Sequence, residues 1–304
     1  MHRVHILLVI TCLTLAAGCV RLPDTGVTPI EPETLSDLQE HLLSQKADLE
    51  QFRLRGPYAV TVEEDFEIRL SITENINTDL FLSTHADKAP LVIFLHGYGN
   101  SKEDHTYQAI HLASWGMHCL TLQLPNSGPA WVGNGRTLAK LVNFISRWPD
   151  IIDRRIDLNK IILVGHSFGG SSVAVALAEG APAIGGILLD PAAIGRDIPV
   201  YLSKIKKPVL LLGADERVYS ARDRDYFYRF IPSGIAEVSI KDADHEDAQF
   251  PSHFALTTDE MQLTFVSAIT SAALSLSSTG KFDYAWTSFS DVLENGKFFN
   301  AKKK

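Results

Sequence analysis

The chain has 304 residues, 45% of them hydrophobic and 21% charged, and a formal net charge of −8. That composition supports a packed core and excludes a disordered chain. The acidic balance gives no general attraction for phosphate backbones, so no nucleic acid partner is expected, and the short run Lys302-Lys303-Lys304 does not change this.

The N-terminus opens with Arg3 and an apolar run from Ile6 to Ala17, which is shorter than the roughly 20 residues a membrane-crossing helix needs. Residues 1–18 read as a targeting segment rather than as part of the fold. The run ends in Leu15-Ala16-Ala17-Gly18-Cys19, which resembles a bacterial lipobox. The resemblance implies a lipoprotein signal peptide, cleavage before Cys19, and a lipid (palmitate-type) anchor on that residue. The protein would then sit in the cell envelope, with Val20 pointing to the outer membrane and a periplasmic or exterior face. Residues 20–33 carry Pro23, Gly26, Pro29 and Pro32 and read as a tether. Thr34–Arg53 is predicted as one helix, because Leu35, Leu38, Leu42, Leu43, Leu49 and Phe52 fall largely on one face. Tether and helix together make up residues 19–55.

Residues 56–278 are predicted as one α/β domain, with a mostly parallel sheet covered by helices on both faces. Tyr58–Glu63 and Asp79–Ser83 suit edge strands. Continuous apolar runs follow at Pro90–Leu95, Met117–Leu122, Lys160–Val164, Ile184–Leu189 and Pro208–Leu212, as expected of strands buried on both sides. Helical segments are expected between them, at 103–115, 136–147, 168–179 and 220–230, and a long one from Thr258 to Ser277. Cys119 lies in one of the apolar runs and is the one cysteine of the body, so it is read as a small buried hydrophobe. Residues 279–304 are set apart as a C-terminal extension. In such sheets ligands bind at the carboxyl ends of the strands, so chemistry should sit just after the apolar runs.

After Ile161-Ile162-Leu163-Val164 comes Gly165-His166-Ser167-Phe168-Gly169-Gly170, then an Ala/Val-rich helical stretch. This is G-x-S-x-G between a buried strand and a helix, the setting that makes Ser167 a nucleophile. A serine hydroxyl needs a base within reach, and in this arrangement the base comes last in chain order. His245, in Asp242-Ala243-Asp244-His245-Glu246-Asp247, fits; His253 is its competitor. The oxyanion of an acyl-transfer intermediate needs N–H donors, for which the backbone of Phe168 and of Tyr98, in His96-Gly97-Tyr98-Gly99, are the candidates.

Together with Leu188-Leu189-Asp190-Pro191, these strings resemble the α/β-hydrolases over about residues 57–278. More narrowly they are similar to the branch holding platelet-activating-factor acetylhydrolases, chlorophyllases and polyester-type esterases. The resemblance implies a carboxylic ester hydrolase working through a Ser-His-Asp triad and an acyl-enzyme on a small apolar ester, with no cofactor and no metal. A serine peptidase of the same fold and a catalytically inert envelope scaffold are the alternatives. For the triad acid, the usual superfamily place gives Asp215 or Glu216, whereas the resembled branch carries its acid where Asp190 stands. A carboxylate closing a wholly apolar run is costly to bury unless paired, and an imidazolium would pair it, which favours Asp190. Trp115, Trp131, Trp148 and Tyr219 are candidates to line an acyl pocket, Trp131 foremost. No metal-spaced His/Cys set and no phosphate-binding glycine loop is present.

Overall fold

The computed structural model describes Gly26 and residues 34–84, 88–125, 130–193, 195–215, 222–252 and 259–304. Cys19, Glu216, Tyr219 and His253 lie outside these residues. Thr34 caps α1 (Leu35–Ser44) by accepting from Asp37 N–H, and Leu35, Leu38 and Leu42 are buried. The single helix expected over Thr34–Arg53 is therefore broken. Gln45 is extended, Asp48 accepts from Glu50 N–H, and only a 3₁₀ turn at Glu50–Arg53 resumes. Leu49 and Phe52 nevertheless stay buried against the body.

A hairpin follows, β1 (Val60–Ser71) and β2 (Glu74–Ser83), both longer than their sequence signals. Then come β3 (Ala89–Leu95), α2 (Thr106–Ser114), β4 (His118–Leu122), α3 (Trp131–Arg147), β5 (Ile156–His166), α4 (Phe168–Ala178) and β6 (Gly185–Leu189). The chain continues through the short α5 (Ile198–Leu202), β7 (Val209–Gly213), α6 (Arg222–Phe230), β8 (Ile235–Ile240) and α7 (Asp259–Thr279). Residues beyond 278 form α8 (Asp283–Ser288), α9 (Ser290–Glu294) and β9 (Phe298–Lys303), which pairs antiparallel with β8. What the sequence set apart as an extension thus supplies an edge strand of the sheet.

Among the described residues the sheet has nine strands in the order β1-β2-β4-β3-β5-β6-β7-β8-β9. From β4 to β8 every neighbour is parallel, and β1 and β9 are the antiparallel edge strands; β2, whose Asp79–Ser83 was expected at an edge, is interior instead, paired antiparallel with β1 on one side and β4 on the other. The continuous apolar runs have their physical reason here, since alternate residues face opposite layers. Leu91, Ile93, Leu95, Ile161 and Leu163 pack with α3 and α4. Val92, Phe94, Ile162 and Val164 pack with α1, α2 and α7. Cys119 is buried in this second layer, and burial pushes its thiol well above the ordinary range. No described helix is long and apolar enough to cross a membrane.

Candidate active site

Ser167 stands between β5 and α4 with φ 52° and ψ −117°, a conformation L residues rarely hold. Close packing forces the turn. A Cβ on Gly165 would lie 2.4 Å from Gly169 O, and one on Gly169 would lie 2.4 Å from Leu95 O. Only glycine lets β5, β3 and α4 approach this nearly. The turn is pinned to the end of β6, with Ser167 N–H donating to Leu189 O (2.9 Å) and Ala192 N–H donating to Ser167 O (3.1 Å).

His245 opens a 3₁₀ turn, His245–Ala248, and is almost fully buried. The acidic residues around it explain themselves locally. Asp244 caps the turn by accepting from the Glu246 and Asp247 N–H groups, while Asp247 accepts from Asp244 N–H. His245 Nδ1 lies 2.6 Å from Asp190 Oδ2. Asp190 follows β6 with φ 37°, and its other oxygen accepts from Arg224 Nη1 at 2.6 Å and from Ala214 N–H at 3.3 Å. Of the two candidate acids among the described residues, Asp190 is the one that meets His245. Asp215 accepts from Asp242 N–H (3.0 Å) and donates its own N–H to Ala243 O (2.9 Å), so it braces the loop leading to the histidine. Glu216 lies outside the described residues.

The strand-end loop at His96 closes the other side. A Cβ on Gly97 would lie 3.2 Å from Ser167 Cβ, which places the loop beside the serine. Asn100 N–H donates back to Gly97 O (3.4 Å) and Gly99 has φ 78°, a tight turn with Tyr98 at its first corner. Among the described residues the Tyr98 N–H meets no acceptor. Phe168, as the first residue of α4, has no intrahelical acceptor for its N–H either. The two side chains stand together, ring centroids 5.8 Å apart, with Tyr98 58% exposed and Phe168 buried.

The other histidines of the cluster are braces. His96 Nδ1 donates to Gly97 O (2.7 Å), and its Nε2 accepts from Leu124 N–H (3.1 Å). His166 Nε2 donates to the His245 carbonyl (2.9 Å), and the two rings lie 4.4 Å apart. Burial, reinforced by the neighbouring His245 and His105, pushes His166 well below the ordinary imidazole range. Of the aromatic candidates, Trp115 is a core residue stacked edge-on against Phe52 at 5.0 Å, and Trp148 is 60% exposed beyond the far end of α3. Neither lies at this site. Trp131 is buried in the same core layer as Phe168 and Ala192, its ring 5.8 Å from that of Tyr201. Arg224 is the residue sequence reading missed. It lies in the polar run Arg222-Asp223-Arg224-Asp225, and nothing in its local pattern distinguishes it from the other charges there. Among the described residues no group of three or more His, Cys, Asp or Glu side chains could hold a metal ion.

In comparisons with known proteins, the sequence model of the alpha/beta hydrolase family matches residues 92–290. No curated protein matches the chain significantly.

Proposed function

The chain belongs to the alpha/beta hydrolase family, and from that premise we propose that it is a carboxylic ester hydrolase in which Ser167, His245 and Asp190 form the triad. The observation that carries this reading is the 2.6 Å contact between His245 Nδ1 and Asp190 Oδ2, in a loop packed directly against the serine elbow. An aspartate in this place, after β6, also agrees with the acetylhydrolase and chlorophyllase branch that the sequence resembles.

In the proposed reaction Ser167 Oγ attacks the ester carbonyl while His245 Nε2 takes the hydroxyl proton. Asp190 accepts from Nδ1–H and stabilises the imidazolium that forms. The oxyanion is held by the N–H groups of Tyr98 and Phe168. Collapse expels the alcohol, which takes the proton from His245, and leaves an acyl-serine. Water attacks that acyl group by the same route, giving the carboxylic acid and restoring Ser167. The apolar surroundings of Tyr98, Phe168 and Trp131 favour a small apolar acyl group. On the sequence evidence at Leu15–Cys19, we place the enzyme in the bacterial envelope, held by lipid on Cys19.

The test is labelling with a fluorophosphonate probe together with hydrolysis of p-nitrophenyl esters of graded chain length. The wild-type protein is expected to label and to prefer short or medium chains. Ser167→Ala should do neither while melting within a few degrees of wild type. Retention of more than about a tenth of kcat in that variant would place the nucleophile elsewhere.

A further inference from the structure

We propose that Arg224 is a positioning residue for the Asp190–His245 pair, and that Gly213 exists as the seat through which its guanidinium reaches Asp190. The inference rests on the triad reading above. Arg224 lies in the first turn of α6 with its side chain 9% exposed. Its Nη1 is 2.6 Å from Asp190 Oδ1 and 2.6 Å from Ala214 O. The carboxylate is thus held from both oxygens, by a cation on one side and the imidazole on the other, and its rotation is blocked. A Cβ on Gly213 would lie 2.3 Å from Arg224 Nη1 and 2.6 Å from both Cδ and Cζ. No side chain larger than hydrogen fits at the end of β7 while Arg224 keeps this position.

The surrounding charges leave this role to Arg224. On α6, Asp225 pairs with Lys302 (3.2 Å); on β8, buried Glu237 forms an ion pair with Lys302 of β9 at 3.1 Å and accepts from Asn300 at 2.7 Å. After β7, Asp215 is engaged with Asp242 N–H. Around His245, Asp244 and Asp247 cap the turn, and Glu246 accepts from Asn100 and Gln249. His166 faces the His245 ring as a neutral imidazole. Among the described residues, the one cation in contact with Asp190 is Arg224. A positive charge there opposes protonation of His245 in the resting enzyme while it fixes the carboxylate that serves the transition state. Loss of that charge should therefore show in the acid limb of the rate profile.

The experiment measures kcat, KM and the pH profile of kcat/KM for a p-nitrophenyl ester in three full-length variants. Arg224→Gln should lower kcat by about 10- to 100-fold with KM little changed. It should also move the acid limb upward by about one pH unit, because a charge within several ångströms of the imidazole is lost. Arg224→Lys should keep the limb near its wild-type pH and recover part of kcat. Gly213→Ala, with Arg224 intact but displaced, should reproduce the upward shift. A limb unmoved in both Arg224→Gln and Gly213→Ala, with kcat falling only as the folded fraction falls, would overturn the inference. Failure of the triad reading shows separately, as activity persisting in Ser167→Ala and Asp190→Asn measured alongside. If Arg224→Gln does not fold, the Lys and Gly213→Ala variants still decide the matter.

Discussion

Replacing Asp190 by Asn changes one atom of the side chain and leaves its shape, so the neighbours dictate how the amide turns. Asp190 Oδ1 receives two donors, Arg224 Nη1 at 2.6 Å and Ala214 N–H at 3.3 Å. A guanidinium has no acceptor. The Asn oxygen must face that side, and its NH₂ group must face His245 Nδ1, now 2.6 Å from Oδ2. Nδ1 can then only accept, which moves the imidazole proton to Nε2, the atom that should receive the proton of Ser167. The expected loss is about 10⁴ in kcat, or about 5 kcal/mol at 1.36 kcal/mol per decade. Stability should suffer less, because Arg224 keeps two oxygen acceptors and loses only the charge of one; about 1–3 kcal/mol is expected. The assay is steady-state hydrolysis of a p-nitrophenyl ester, with thermal melts to separate folding from chemistry. Asp215→Asn, which still offers an oxygen to Asp242 N–H, should stay within tenfold of wild type. Asp190→Asn within tenfold and Asp215→Asn collapsing would refute the reasoning.

Tyr98→Pro removes the proposed oxyanion donor at a turn corner where proline is favoured, and should cost 10²- to 10³-fold in kcat, whereas Tyr98→Ala should chiefly raise KM; equal kcat in the two variants would place the donor elsewhere. Burial holds His105 and His111 down to about 4, below the usual 6.5. The unfolded chain therefore binds more protons than the folded one below that pH, and stability is present near neutrality and lost as pH falls from about 6.5 toward 4. His111→Gln, which keeps a donor for the Phe52 carbonyl, should flatten the fall in melting temperature between pH 7 and 4.5; an unchanged slope would count against this account. Cys19→Ala should release the protein from the membrane fraction or stop its processing, and a mature N-terminus that is neither Cys19 nor acylated, seen by mass spectrometry, would rule out the lipid anchor.

The parallel sheet was legible because burial on both faces leaves no alternation to hide it: Leu91–Leu95, Ile161–Val164 and Val209–Leu212 are apolar at every position, and only a doubly covered strand tolerates that. The serine elbow was legible for a related reason, since steric demand at Gly165 and Gly169 writes itself into consecutive residues. The same holds for the His245 turn, whose cap lies within four residues of the chain. Beyond that range local pattern fails. The break at Gln45 in the predicted Thr34–Arg53 helix depends on how the body receives Leu49 and Phe52 from a different angle, which no helical period records. Nothing in Phe298–Lys303 marks it as a strand; its partner β8 supplies the hydrogen bonds, and Glu237 waits in that strand for Lys302 and Asn300. Sequence spacing left Asp190, Asp215 and Glu216 in competition, because each follows a strand at the same end of the sheet. The resembled branch and the cost of burying an unpaired carboxylate already favoured Asp190; what only the tertiary structure adds is the distances, since Oδ2 of Asp190 meets His245, Oδ2 of Asp215 meets a backbone amide, and Arg224 arrives from another helix to hold the first in place.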